Sequence, residues 1–197
     1  MTDQTNATIT YRHDLGNGGW VIHVAPEGWA VPDFEPGQYT TLGLPGTLPR
    51  CSGVLPEPPL RRPEKLIKRA YSIVSSPMEK GHLEFYAVLI RNGSFTPRLF
   101  PLRPGDRLWL SRKITGTFVL SKAPPDANIV LVATGSGIAP YVSMLRTILQ
   151  PGNRRRIALL HGVRRSSDLG YMDELRAKER ELPNFTYIPT ISRPGHD

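Results

Sequence analysis

The sequence predicts two structural classes in tandem, an antiparallel β-barrel followed by an α/β unit, and three observations carry that prediction. From Ala7 to Leu120 the chain reads as short strand-like runs between turn signals, with no long helical period. From Ile129 onward strand and helix patterns alternate, which implies parallel pairing through right-handed crossovers. Between them, Ser121 to Asn128 changes composition around Pro124-Pro125, so the boundary is set there and the units are 1–122 and 123–197. A chain of 197 residues accommodates one or two domains, and 39% hydrophobic content suffices for an ordinary core.

The elements follow in order. TITYRHDL and WVIHVA flank Asn17-Gly18-Gly19 as the arms of a hairpin flank its turn. Gln38 to Leu42, Arg69 to Val74, Leu83 to Ile90 and Arg107 to Leu110 are the further strands, each bounded by Gly, Pro or Asp. Six or so short strands without long helices suggest a closed barrel, because closure removes exposed edges. Pro49 to Lys68, rich in proline and basic residues, interrupts the rhythm as an exposed loop or long hairpin excursion, and solvated surface is its simplest role.

The second unit opens on Ile129 to Arg146. Ile129 to Ala133 is the short apolar run expected of a strand buried on both faces, and Val142, Leu145, Ile148 and Leu149 recur at helical spacing. Gly135 and Gly137 lie between them, in a turn that lets backbone approach a ligand while the helix start offers N–H groups to a phosphate. The same pattern also serves as a tight connection without a ligand. Ile157 to Gly162, Tyr171 to Glu181 and Phe185 to Ile191 continue as strand, helix and strand. No internal repeat or low-complexity tract is present.

Composition excludes several classes. No apolar run approaches the roughly 20 residues that span a bilayer, and the polar start MTDQTNATIT lacks the regions of a secretory signal, so the expected location is cytoplasmic, with no membrane partner. One cysteine, Cys51, excludes an internal disulfide and cannot hold an iron-sulfur cluster, so any such cluster sits on a partner. The net charge of +8 admits an acidic protein, an anionic membrane or nucleic acid. The basic residues are scattered, and neither zinc spacing nor a nucleic-acid signature occurs, which argues against nucleic acid and against a metal site.

Arg69-Ala70-Tyr71-Ser72 in a barrel strand, Gly105-Asp106 at the end of a later turn, and Ala133-Thr-Gly-Ser-Gly-Ile-Ala-Pro-Tyr141 resemble, in order and separation, the motifs of the ferredoxin-NADP reductase family, specifically its bacterial type. The resemblance runs from about Ala7 to Arg193. It implies an FAD-binding barrel followed by a Rossmann-like NADP(H)-binding domain, and an enzyme that passes hydride between NADP(H) and flavin and single electrons to a small acidic carrier, ferredoxin or flavodoxin. An NADH-dependent flavin or oxygenase reductase, and a non-enzymatic flavin-binding or interaction protein, remain open as alternatives.

The resemblance also implies site residues. Tyr71 covers the isoalloxazine ring and Ser72 hydrogen-bonds its edge, which makes them the candidate catalytic residues, while Arg69 pairs with the pyrophosphate and Ala70 lies between. Tyr86, Ala87, Val88, Leu89, Gly93, Ser94 and Phe95 fall where the next strand and its turn touch FAD. Thr134 matches a further flavin contact, with Gly135 and Gly137 in the turn behind it. Val163-Arg164 and Ser192-Arg193 match positions that meet the nucleotide phosphates, and arginine there suits a 2′-phosphate. Arg165 and Ser166 stand beside them. His161 reads as a strand-end residue, since hydride transfer requires no protein base. Members of the family continue beyond the third α/β strand through another strand, a Cys-Gly turn and a terminal segment near the flavin. The expectation is therefore a second unit that is C-terminally incomplete, with an apolar sheet edge and helix face uncovered.

Overall fold

The structure is a computed structural model that describes residues 5–16, 18–150 and 152–194, and the statements below concern these residues. Strands β1 (Ala7–Gly16) and β2 (Gly19–Pro26) form the first hairpin, with bulges between Ile9 and Tyr11 and between Asp14 and Gly16. Asn17 of the expected turn lies outside the described residues, and Gly18 at its tip has φ of 80°, a conformation glycine adopts without strain. Strands β3 (Tyr39–Pro45), β4 (Leu66–Ser72), β5 (Leu83–Val88) and β6 (Arg107–Leu110) complete a six-stranded sheet in the order β4-β3-β6-β1-β2-β5. A four-residue helix, α1 (Thr96–Leu99), lies between β5 and β6.

The expected closure is corrected here. The sheet curls around a core of Trp20, Ile22, Leu42, Leu83, Phe85, Leu108 and Leu110, but its end strands β4 and β5 do not pair. In the strand ladders β4 bonds only to β3 and β5 only to β2; just beyond β4 the Val74 amide donates to the Glu84 carbonyl of β5 at 2.9 Å, so the unpaired edges face a gap between Arg69–Ser72 and Tyr86–Val88. Edges of this kind persist where another element or a ligand covers them.

The second unit holds β7 (Ile129–Thr134), β8 (Ile157–Val163) and β9 (Phe185–Ile191), parallel and in that order, with helices α2 (Ala139–Ile148) and α3 (Met172–Glu181) in the crossovers. A single turn of 3-10 helix, Gly135–Ile138, joins β7 to α2. Val142 and Leu145 of α2, Leu149 at its C-terminal cap and Leu175 of α3 pack with Ile129, Leu131, Leu159 and Tyr187 in one cluster, so both helices share one face of the sheet. The reading of β7 as buried on both faces is therefore wrong: Val130 and Val132 are 68% and 62% exposed on the face that no described element covers. A continuous apolar run reports only that both faces are apolar, not that both are covered.

The two units are packed together. Val74 and Tyr86, from the antiparallel unit, belong to the hydrophobic cluster of the parallel one. The Ser143 hydroxyl on α2 donates to the carbonyl of Ser75 at 2.7 Å. Gly37 has φ of 100°, and a Cβ there would sit 2.1 Å from the Phe118 carbonyl oxygen and 2.4 Å from the Met144 side chain of α2, so only glycine permits this approach.

Candidate functional site

The gap between β4 and β5 opens into a cleft of about 460 Å³. Arg69, Ala70, Tyr71 and Ser72 form one wall, Tyr86 and Val88 the opposite one, Gly93 to Thr96 the end, and Ser136, Gly137 and Ala139 the rim contributed by the second unit. Tyr71 is held by Phe85, edge-on at 6.2 Å, and by Phe95 at 5.8 Å. Burial pushes its phenol well above the ordinary value, with the Arg69 charge opposing weakly, so the ring stays neutral and offers a flat face rather than a proton. Arg69 is exposed, donates to the Lys68 carbonyl at 2.7 Å, and has no carboxylate partner among the described residues. A guanidinium so placed is available to an anion.

The turn that closes this cleft is propped from below. Thr96 Oγ1 accepts from the Ile90 amide at 2.9 Å, and the Gly93 amide donates to the Ile90 carbonyl at 2.8 Å. Arg98, 5% exposed, donates to the carbonyls of Ser94 (2.8 Å) and Gly46 (3.1 Å) and pairs with Glu57 through both of its terminal nitrogens. The Arg98 hydrogen bond holds the Glu57 carboxyl below its usual range, against a smaller effect of burial. The first part of the proline-rich segment is thus tied down although most of it is exposed as expected, with amides of Cys51 and Leu55 donating to the carbonyls of Pro97 and Arg91. Arg61 to Lys65 remain exposed, as expected. Nothing local in the sequence marks Glu57 as the partner of Arg98, 41 residues away.

A second cleft, about 840 Å³, lies at the carboxyl ends of the parallel strands, where an open α/β sheet places its ligands. Thr134 and Gly135 at the end of β7, Val163 and Arg164 at the end of β8, and Ile191 and Ser192 at the end of β9 line it, facing Leu15, Tyr86, Val88 and Ile90 of the antiparallel unit. Gly135 has φ of 50°, and open space surrounds the position a Cβ would take at both Gly135 and Gly137. The two loops are laced together by their backbones, the Ser192 amide donating to Val163 and the Arg193 amide to Arg164, each at 2.9 Å. His161 is fully buried: its Nε2 donates to the Gly135 carbonyl and its Nδ1 accepts from the Tyr187 hydroxyl, both at 3.1 Å. Burial lowers its pKa, against the Gly135 hydrogen bond, and burial likewise pushes the Tyr187 phenol up to about 12. His161 is therefore a neutral anchor for the Gly-rich turn, a role that its position at a strand end did not reveal.

The two clefts share Tyr86, Val88, Ile90 and Ser136, so they form one continuous space. Of the residues singled out from sequence, Arg69 to Ser72, Tyr86, Val88, Gly93 to Phe95 and Gly137 face the first cleft, and Tyr86, Val88, Thr134, Gly135, Val163, Arg164 and Ser192 the second. Ala87 does not: alternation along β5 turns it into the barrel core, 1% exposed. Leu89 and Arg193 line a separate hollow of about 820 Å³, which also borders Arg164.

Behind the shared wall a buried ionic network joins the units. Glu84 of β5, 5% exposed, accepts from the Tyr171 hydroxyl at 2.8 Å and faces Arg146 of α2 at 3.1 Å and His23 at 3.2 Å. Arg146 also donates twice to Glu174 of α3, at 2.8 Å each. Burial works against the Arg146 charge, but Glu174 and Glu84 outweigh it and hold the guanidinium above its ordinary value. Tyr171 adopts φ of 64° and stands edge-on to Tyr86 at 5.6 Å, while a Cβ on Gly170 would come within 2.8 Å of the Tyr86 ring. Sequence reasoning missed this network because its members are distant in the chain and none belongs to a motif.

The family model for the oxidoreductase NAD-binding domain matches residues 131–197. The flavodoxin/ferredoxin-NADP reductase of Buchnera aphidicola subsp. Baizongia pistaciae is 37% identical over 145 residues, 74% of this chain and 52% of that protein. The ferredoxin-NADP reductase of Pseudomonas aeruginosa is 40% identical over 155 residues, 79% of this chain and 52% of that one. The crystal structure of a ferredoxin NADP+ reductase from Neisseria gonorrhoeae with bound FAD and NADP superposes with a TM-score of 0.77 at 26% identity, over 98% of this chain and 70% of that one. The chain spans about half the length of the curated relatives it matches.

Proposed function

Since the chain belongs to the ferredoxin-NADP reductase family, we propose that it is a flavin-dependent oxidoreductase in which FAD and NADP(H) meet between the two sheets. The division is at 122/123, with FAD carried by residues 1–122 and NADP(H) by 123–197. The observation that carries the proposal is the continuity of the two clefts through Tyr86, Val88, Ile90 and Ser136. Two ligands that exchange hydride must touch, and separate pockets would forbid it.

The residues present fit both ligands. The first cleft offers a neutral ring at Tyr71 and a hydroxyl at Ser72, which suit a flavin and its ring edge, and a guanidinium without a carboxylate partner at Arg69 with a backbone turn at Gly93 to Phe95, which suit its pyrophosphate. The second offers an open Gly-rich turn and Arg164, which suit a nucleotide diphosphate, and Arg193 on the paired loop suits a 2′-phosphate. Bound FAD would supply the conversion between two-electron and one-electron transfer. The protein's own part is to stack, orient and exclude water. The electron partner is a small acidic carrier, ferredoxin or flavodoxin, drawn by the net charge of +8. No helix among the described residues is long and apolar enough to cross a membrane, and the site of action is the cytoplasm.

The test is an absorption spectrum of the purified protein. Oxidised flavin bands that bleach on NADPH faster than on NADH are expected. Colourless protein that takes up no added FAD would refute the flavin assignment, and equal rates with the two nucleotides would refute the preference for NADP(H).

A further inference from the structure

The proline-rich segment meets the first cleft from behind. Beyond Cys51 its partly buried residues are Val54, Glu57 and Leu60, three apart, which is the period of an extended proline-rich chain. Leu60 and the Pro63 carbonyl would each lie 2.8 Å from a Cβ on Gly46, so the segment is pressed against the chain just after β3. Two arginines then tie it to the turn that ends the cleft. Arg98 donates to both oxygens of Glu57 and to the Ser94 carbonyl at 2.8 Å. Arg50 donates to the Leu55 carbonyl at 2.7 Å and to the Gly93 carbonyl at 3.1 Å, with its Nε 4.0 Å from Glu57. Each of these two turn carbonyls is thus held by a guanidinium, and both guanidiniums gather at one carboxylate whose side chain is 14% exposed. The amides of Ser94, Phe95 and Thr96 take no acceptor among the described residues.

We infer that Glu57 is a positioning residue for the flavin's pyrophosphate: through Arg98 and Arg50 it fixes the carbonyls of Gly93 and Ser94, and with them the neighbouring amides, at the end of the first cleft. The inference rests on the assignment of that cleft to FAD, and it makes the segment from Arg50 to Leu60 a strap. Glu57 does not line the cleft, so it acts only through the arginines. Pro56, Pro58 and Pro59 flank it and restrict the chain before it docks, which lowers the entropy lost in holding the carboxylate in place. Removing the carboxylate has two opposed effects on a bound pyrophosphate: the turn loosens, and positive charge is uncovered behind it. A hydrogen bond weakens steeply with misalignment while a screened charge varies slowly with distance, so the loss of aim outweighs the gain in field.

Fluorescence titration of the flavin-free full chain with FAD, and with riboflavin, which lacks the pyrophosphate, tests this. Glu57→Ala should weaken FAD about tenfold, the size of one charge-assisted contact, and riboflavin less than about twofold. Glu57→Gln keeps an acceptor for Arg98 and should show part of that loss. Arg50→Met spares the pair between Arg98 and Glu57 and should weaken FAD with the same selectivity. If Glu57→Gln and Arg50→Met bind FAD as tightly as the parent or more tightly, or if FAD and riboflavin weaken alike, the strap is overturned, while a weaker FAD complex in Arg69→Ala leaves the cleft assignment standing. A parent that takes up no FAD removes the assignment and the strap together.

Discussion

Replacing Arg146 by Met keeps most of the aliphatic stem and deletes the cation that joins α2 to both β5 and α3. The two carboxylates it leaves behind differ. The Glu174 side chain is 31% exposed and can turn to water, whereas the Glu84 side chain is 6% exposed and cannot. The cost therefore falls on Glu84. Breaking a buried pair by removing one partner typically costs about 3 to 5 kcal/mol, and the lower end applies because Tyr171 and His23 remain beside Glu84. At roughly 2 to 4 °C per kcal/mol for a chain of this length, Arg146→Met should melt about 6 to 12 °C below the parent. The assay is thermal unfolding by circular dichroism, repeated on Glu84→Gln and on the double variant. The double variant should be less destabilised than the sum of the singles, because the second change removes the charge the first left unpaired. A melting point within about 2 °C of the parent, or singles that add to within about 0.5 kcal/mol, would refute the view that this pair fastens the two units.

In the first cleft, Arg69→Ala should lower FAD affinity roughly ten- to hundredfold and Tyr71→Ala should act in the same direction; unchanged flavin content and dissociation constants in both would break the assignment of that strand. Gly170→Ala should drive a methyl into the Tyr86 ring, cost about 1 to 3 kcal/mol and disturb both clefts, read as a lower melting point together with slower flavin reduction. His161 has its pKa lowered in the fold, so the unfolded chain takes up its proton first. Stability should fall as pH drops below about 6.5, and His161→Gln should flatten that slope in part, since His23 shifts in the same sense. An identical slope in the variant would remove His161 from the account. Carrier reduction should slow as salt rises from about 0.1 M to 1 M, where the Debye length falls from about 10 Å to 3 Å; a rate indifferent to salt would leave the +8 charge without a docking role.

What the sequence made legible was local. The turn at Gly135, the strand carrying Arg69 to Ser72 and the helix after Ala139 each have residue chemistry that serves one conformation, and each appears where expected. Strand ends drifted by a few residues, as with β3, whose pairing with β4 carries it on to Pro45. Closure of the barrel was misjudged because it depends on whether two end strands meet, which no pattern within either strand encodes. Leu89 and Arg193, placed by the family resemblance, line the hollow that borders Arg164 rather than the two clefts themselves. The docked half of the proline-rich segment and the Glu84 network were invisible for the same reason: ionic partners tens of residues apart have no periodicity to detect.

Strand β5 has no idle side. Leu83, Phe85 and Ala87 fill the barrel, while Glu84, Tyr86 and Val88 supply the ionic fastening and the wall common to the two clefts. Because neighbouring side chains point to opposite faces, inserting or deleting a single residue in this strand would exchange the two sets at a stroke, placing a carboxylate in the oily interior and a phenylalanine where the ligands meet. Its six positions are thus bound to one reading frame, whereas the turn after it, from Arg91 to Ser94, and the loops after β8 and β9 carry no such double duty. Changes of nucleotide or carrier preference in such a scaffold should accordingly accumulate in those connections and pass β5 by.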